Sequence, residues 1–134
     1  MVAWAALISL FSTGLFTGDI TGQLLIPILS ALFPGATTAE LHALHAMIRK
    51  LSHFLEYLVL SVLLSRALRS PERSRLETAG VAVLIAGLYA IADEFHQYFV
   101  PGRTAAVTDC LIDVSGAAAG QGLIAALGRG SRPG

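Results

Sequence analysis

Titratable side chains gather in four short blocks of an otherwise apolar chain. The first block is RKLSHFLEY at residues 49–57, and the second is DEFHQ at residues 93–97. The third is PGR at residues 101–103, and the fourth places Asp109 four residues before Asp113. A histidine near carboxylates is the combination that general acid–base catalysis uses, and basic side chains bind phosphate or carboxylate groups. The four blocks together are therefore the candidate functional site.

Each candidate is assigned by the chemistry of its side chain. The candidates for proton transfer are one imidazole, which titrates near neutral pH, and three carboxylates: His53, Glu56, Asp93 and Glu94. The candidates for holding a ligand are Lys50, Tyr57, Gln97, Arg103, Asp109 and Asp113. As a general base, His53 would be poised by Glu56 or Asp93, while Lys50 and Arg103 would hold a head group. A purely structural pairing of Arg103 with Asp109 is the alternative for those two residues.

The composition indicates a membrane protein. Of the 134 residues, 54% are hydrophobic and only 13% are charged, whereas a soluble domain is about 25% charged. The formal net charge is zero, and no nucleic-acid-binding motif occurs, which excludes a strongly basic nucleic-acid binder. Cys110 is the single cysteine, so an intramolecular disulfide is excluded.

The apolar stretches predict an all-α, polytopic membrane bundle of about four transmembrane helices, forming one domain over residues 1–134. The predicted spans are residues 2–16, 50–68, 77–98 and 105–127, followed by a polar tail at 128–134. The first is short of the ~20 residues that cross a bilayer. Residues 19–33, interrupted by Pro27, are predicted to be an interfacial or re-entrant segment. A Thr37-x-x-Glu40 capping box predicts a helix that begins near Thr38 and reaches Leu68.

The basic residues outside the four blocks predict the orientation. They lie between the second and third spans or in the tail: Arg66, Arg69, Arg73, Arg75, Arg129 and Arg132. The positive-inside rule places them in the cytoplasm. Four spans then put both termini in the cytoplasm and the candidate site on the outer side of a bacterial cytoplasmic membrane. Trp4 is interpreted as an interfacial aromatic at the cytoplasmic end of the first span.

One face of the fourth span carries both aspartates, which could do chemistry, and glycines, which allow close packing. Asp109, Asp113, Gly116 and Gly120 follow one another at spacings of four, three and four residues, so they share one helical face. Glycines on such a face let another helix backbone approach closely. Ionisable groups at membrane depth are expensive and usually serve a function. We therefore expect the second, third and fourth spans to bring their polar groups into one pocket.

The order and spacing of the four blocks resemble the VanZ-like family of small bacterial membrane proteins. The matching pattern is Arg49-Lys50-x-x-His53-Phe54-x-Glu56-Tyr57, Asp93-Glu94-x-x-Gln97, Pro101-Gly102-Arg103 and Asp109-x-x-x-Asp113-x-x-Gly116-x-x-x-Gly120. The resemblance implies that these polar residues are shared within the family. Because the namesake is linked to teicoplanin resistance, it also implies a ligand of the cell envelope, which is either lipid-linked or a glycopeptide antibiotic.

Three classes of function are compatible with these residues. A binding protein would capture a head group or an antibiotic; an enzyme would act on a lipid-linked substrate through a His/carboxylate pair; and a small proton-coupled transporter would have to be an oligomer. No cofactor and no metal is predicted, because His53 and Glu56 do not form a signature such as HExxH. The expected partners are membrane lipids and the envelope ligand, with no nucleic acid, and a homo-oligomer is left open.

Overall fold

The computed structural model describes residues 1–11, 13, 18–100 and 106–129, and every regular element in these ranges is an α-helix. The helices are α1 (Val2–Phe11), α2 (Gly18–Leu32), α3 (Thr38–Leu68), α4 (Arg75–Tyr98) and α5 (Val107–Arg129). The prediction of an all-α fold is confirmed. The predicted tail overlaps α5 by two residues, and residues 130–134 lie outside the described ranges.

Capping boxes fix where the two longest helices begin. The Thr37 backbone N–H donates to the Glu40 carboxylate at 2.7 Å, and the Thr37 hydroxyl accepts from the Glu40 N–H at 3.3 Å. Ser74 and Glu77 repeat the arrangement before α4, at 2.8 and 3.2 Å. Such caps satisfy backbone donors that a helix leaves unpaired and are worth about 1 kcal/mol each. The box at Thr37 was predicted, and α3 begins where it places the helix start.

The core lies between α3, α4 and α5. Ala82, Ala86 and Ala90 form a fully buried stripe on α4 and pack in one cluster with Tyr57 and Leu60 of α3. Burial of apolar groups does not drive helices together within lipid, so association depends on close packing of small residues. The alanine stripe supplies that packing. It brings the polar end of α4 against the polar part of α3.

Large apolar side chains cover the outside of this core. On α4, for example, Leu84, Leu88, Ile91 and Phe95 are all exposed, at the spacing of one helical face. A helix that is apolar on both its buried and its exposed faces belongs in a bilayer. The helices α3, α4 and α5 have 31, 24 and 23 residues, and all three are long and apolar enough to cross a membrane. The structure is therefore a helical membrane bundle.

The helix α1 differs from the predicted first span. Its ten residues cover about 15 Å, roughly half of a ~30 Å hydrocarbon core; of residues 12–17 only Thr13 is described. The Trp4 indole N–H donates to the Glu56 carbonyl oxygen at 3.0 Å. Trp4 therefore lies beside the candidate site rather than at the opposite end of the bundle, and its interpretation as a cytoplasmic interfacial residue is wrong. The cytoplasmic location of the N-terminus, which assumed a fourth crossing, stays a prediction.

The helix α2 occupies the place of the predicted interfacial segment and packs on the first turns of α3. It is helical through Pro27. The Thr21 hydroxyl lies 3.1 Å from His45 Nε2 and accepts a hydrogen bond from Arg49 at 3.1 Å. Arg49, from the first polar block, is thus engaged with α2.

Candidate functional site

The candidate site begins with an ion pair between α3 and α5. His53 Nδ1 lies 3.3 Å from Asp113 Oδ1, and the Asp113 side chain is completely buried. The separation is within ion-pair range, but its geometry does not make a hydrogen bond. The His53 side chain is 17% exposed although its Nδ1 is buried. The exposed part of the ring therefore lies away from Asp113. Sequence reasoning had named Glu56 or Asp93 as the partner of His53. Both lie close enough to interact electrostatically with it, and Asp113 is a further partner that the sequence did not indicate.

Tyr57 lies one turn further along α3 and is fully buried. Asp93 and Asp113 are close enough to interact electrostatically with both His53 and Tyr57. The Tyr57 ring also lies 6.3 Å from the ring of Tyr89, which belongs to α4. Tyr57 therefore lies at the same level of the bundle as polar groups from α3, α4 and α5.

The helix α4 contributes three buried polar residues in its last two turns. Gln97 Nε2 donates to Asp93 Oδ2 at 2.9 Å, which orients the Asp93 carboxylate. The Glu94 carboxylate accepts the backbone N–H of Ala106 at 2.9 Å through Oε2. Glu94 thus ties the end of α4 to the beginning of α5. All three α4 side chains are at most 8% exposed.

Five buried polar atoms of this site make no hydrogen bond within the described residues. They are His53 Nδ1, Tyr57 OH, Glu94 Oε1 and both carboxylate oxygens of Asp113. An unsatisfied buried polar group costs about 1–3 kcal/mol, so native structures contain few of them. His53 Nδ1 and Asp113 Oδ1 are compensated in part by their ion pair, so the cost falls mainly on Tyr57 OH, Glu94 Oε1 and Asp113 Oδ2. These atoms are therefore the candidates for contact with a ligand.

Two glycines allow the helices to come this close. A β-carbon on Gly116 would overlap the Phe54 carbonyl, and one on Gly120 would lie 2.7 Å from the Leu58 carbonyl oxygen. A β-carbon essentially never lies so close to a backbone atom, so only glycine fits at either position. The predicted packing role of both residues follows from these contacts. Because Gly116 is one turn from Asp113 and Phe54 adjoins His53, the close approach brings the two polar residues together.

The chain is similar to a known protein family. A family model described as VanZ/LLP1 matches residues 1–128. The chain belongs to the VanZ/LLP1 family. No curated protein and no solved structure matches the chain. The family match extends from the resemblance at residues 49–127 to include α1 and α2.

Within this member of the VanZ/LLP1 family, the predicted site residues separate into two groups. The structure brings together the six that are named above: His53, Tyr57, Asp93, Glu94, Gln97 and Asp113. Lys50 is exposed one turn before His53. Glu56 and Asp109 are half-buried at the edge of the cluster, where Glu56 interacts electrostatically with His53 and Asp109 with Asp113. Arg103 lies outside the described residues, so its predicted role stays a prediction.

Sequence reasoning missed several polar contacts of the VanZ/LLP1 chain. One is the contact of Trp4 with Glu56, which only the packing of α1 reveals. Another joins the C-terminal halves of α3 and α5: Gln121 Nε2 donates to the Ser61 carbonyl at 3.0 Å and to its hydroxyl, and Ser65 donates to Gln121 Oε1 at 2.7 Å. The i+4 spacing of Tyr57, Ser61 and Ser65 was visible in the sequence and could have indicated this polar stripe.

Neither of two prominent cavities of the VanZ/LLP1 chain is lined by the six clustered residues. One lies between α2 and the beginning of α3, and the other lies at the opposite end of the bundle. In the described part of the chain, no three His, Cys, Asp or Glu side chains are grouped as metal ligands are. What the geometry offers is a tightly packed group of three carboxylates, one imidazole, one tyrosine hydroxyl and one amide.

Proposed function

We propose that this VanZ/LLP1 protein recognises or modifies a cell-envelope ligand, lipid-linked or glycopeptide, at the polar cluster formed by α3, α4 and α5. The observation that carries the proposal is the group of five buried polar atoms around Asp113 that have no hydrogen-bond partner among the described residues. Ionisable groups at membrane depth are retained where they serve a site. A ligand that supplied the missing hydrogen bonds would offset the desolvation cost of these atoms.

The chemistry of the cluster favours a ligand that donates hydrogen bonds. Asp113 and Glu94 present only acceptors when ionised, and Asp93 adds a third carboxylate to the same site. Hydroxyl and ammonium groups would bind such a site. Lipid-linked wall precursors and glycopeptides carry hydroxyl groups on their sugars and ammonium groups where they have amines. Lys50, exposed one turn before His53, is placed to pair with an anionic part of the same ligand.

The orientation that goes with this function puts the cluster on the outer side of a bacterial cytoplasmic membrane. Arg66, Arg69, Arg73 and Arg75 lie at the other end of the bundle, where α3 ends and α4 begins. The positive-inside rule assigns that end to the cytoplasm. The helix α5 runs parallel to α3, so the C-terminal end of α5 lies on the cytoplasmic side as well.

A second candidate function, acid–base catalysis, is favoured by the ion pair of His53 with Asp113. A carboxylate beside one imidazole nitrogen fixes the ring and stabilises its protonated form, leaving the other nitrogen for proton transfer. The partial exposure of the ring away from Nδ1 fits this role. The reaction would be a proton transfer on a lipid-linked substrate.

Three variants, each of which replaces one aspartate by asparagine, test the proposal. A susceptible Gram-positive host would express the wild type, Asp113→Asn, Asp93→Asn or Asp19→Asn at matched membrane levels, and its susceptibility to teicoplanin and vancomycin would be measured. Asp19 is exposed on α2 and serves as the control. We expect the wild type and Asp19→Asn to lower susceptibility to teicoplanin and both cluster variants to lose the effect. A cluster variant as protective as the wild type would contradict the proposal.

The variant His53→Gln separates binding from catalysis. Gln retains hydrogen-bonding capacity but cannot transfer a proton near neutral pH. If the protein is a binding protein, protection and ligand affinity should fall together. If it is an enzyme, protection should be lost while the purified protein binds teicoplanin or a lipid-linked precursor as tightly as the wild type does.

A further inference from the structure

A cavity of about 580 Å³ lies at the end of the bundle opposite the His53–Asp113 cluster. Three arginines line it: Arg69 at the end of α3, Arg73 in the following loop and Arg75 in the first turn of α4. Ser65, Thr78 and Gln121 also line it, together with apolar residues of α4 and α5. Its size is typical of ligand pockets. It shares no residue with the six-residue cluster.

The neutral polar side chains of this cavity are already hydrogen-bonded. Ser65 donates to Gln121 Oε1 at 2.7 Å, and Thr78 donates to the Ser74 carbonyl oxygen at 3.0 Å. These groups therefore hold the wall of the cavity in place. The positive charge comes from the arginines alone.

No carboxylate lies within ion-pair distance of the three arginines in the described part of the chain. The Glu77 carboxylate accepts the Ser74 backbone N–H at 2.8 Å and interacts with Arg73 only at longer range. Arg73 donates one long hydrogen bond, of 3.4 Å, to the Leu68 carbonyl oxygen. Three guanidinium groups thus face one cavity with most of their donors uncommitted.

Exposed apolar side chains adjoin the same cavity. Leu76 follows Arg75 and is 83% exposed, while Leu123 and Leu127 precede lining residues of α5 and are also exposed. A basic pocket between membrane helices, next to lipid-facing leucines, has the character of a site for an anionic lipid head group. Arginine suits phosphate because its planar fork donates two hydrogen bonds at once.

We propose that the cavity lined by Arg69, Arg73 and Arg75 binds a phosphate group, carried by an anionic phospholipid of the adjacent leaflet. The site is separate from the proposed envelope-ligand site, and the two lie at opposite ends of α4. The ligand's phosphate would bridge guanidinium groups from α3, the loop and α4. Its acyl chains would lie along the exposed leucines of α4 and α5.

The test measures lipid binding to the full-length protein in detergent by native mass spectrometry. Phosphatidylglycerol, phosphatidylcholine with the same acyl chains and inorganic phosphate are titrated separately. The variants are Arg73→Gln and Arg75→Gln, and the control is Arg66→Gln, which removes an exposed arginine that does not line the cavity. Gly128→Leu is an independent variant that keeps every arginine. A β-carbon at Gly128 would lie 3.1 Å from Arg75 Nη1, so a larger side chain would fill the cavity.

We expect the wild type to prefer phosphatidylglycerol and each cavity variant to bind it about fivefold more weakly, as for loss of one basic contact. Arg66→Gln should keep the wild-type affinity. Equal binding of phosphatidylcholine would overturn the proposal, because binding would then not depend on the charge of the lipid. An equal loss in Arg66→Gln would also overturn it, because an arginine outside the cavity would then contribute as much as those that line it. Inorganic phosphate binding as tightly as the lipid would overturn the assignment to a lipid. An unchanged affinity in Gly128→Leu would contradict the location.

Discussion

The helices α3 and α5 run side by side, but they are joined in different ways at the two ends of their contact. Near the polar cluster the contact is backbone to backbone, with Gly116 and Gly120 lying against the carbonyls of Phe54 and Leu58. Toward the arginine-lined cavity the contact is a side-chain network, in which Gln121 bonds to Ser61 and Ser65. The cluster end is therefore held by packing, and the arginine end by hydrogen bonds.

This difference explains why the polar groups of the two ends are in different states. Packing through glycine brings His53 and Asp113 together as an ion pair, while their buried atoms make no hydrogen bond among the described residues. In the network, by contrast, the neutral polar groups satisfy one another. They hold the wall of the cavity that the arginines also line.

The largest effect should come from breaking the glycine contact. Gly116→Ala places a methyl group on the Phe54 carbonyl, and the helices must separate to relieve the overlap. Overpacking costs about 1–3 kcal/mol in a core that can relax, and a backbone obstacle raises the loss to about 3 kcal/mol or more. Thermal unfolding in detergent measures this loss of stability. Gly120→Ala should be similar but smaller.

The control for this series is Gly122→Ala. No heavy atom lies within 4 Å of a β-carbon at Gly122, so the substitution should be neutral or should stabilise the helix slightly through the better propensity of alanine. If Gly116→Ala were as stable as Gly122→Ala, the cluster end would not depend on close packing, and the comparison between the two ends would fail.

A smaller loss is expected at the other end of the contact. Gln121→Leu removes the hydrogen bonds to Ser61 and Ser65 and leaves their polar atoms without this partner. Hydrogen bonds between membrane helices average about 0.6 kcal/mol each, so the total should be about 2 kcal/mol by the same unfolding measurement. Ser115→Ala is the control, because Ser115 is exposed and bonds only within its own helix. Equal losses of stability in the two variants would show that the network does not stabilise the bundle.

The sequence was a good guide to whatever depends on local spacing. The Thr37–Glu40 box, the starts and ends of the long helices to within about two residues, and the shared face of Asp113 and Gly116 all depend on neighbours within one or two turns. Contacts between helices were harder to predict from the sequence. The partner of His53 depends on the relative depth and rotation of α3 and α5, which the Phe54–Gly116 contact sets. The position of Trp4 depends on how α1 packs, and its short apolar sequence does not specify that.

The smallest effect should be confined to the arginine end. Ser74→Ala removes the side-chain half of the capping box before α4 and leaves the Glu77 N–H without its acceptor. The expected loss is about 1 kcal/mol, and Ser74→Asp should restore it because Asp is an equally good cap. Hydrogen exchange should rise in the first turn of α4, beside Arg73 and Arg75, and stay unchanged around His53 and Asp113. Faster exchange at both ends would mean that the two halves of the bundle open as one unit, and their different modes of packing would then have no separate energetic consequence.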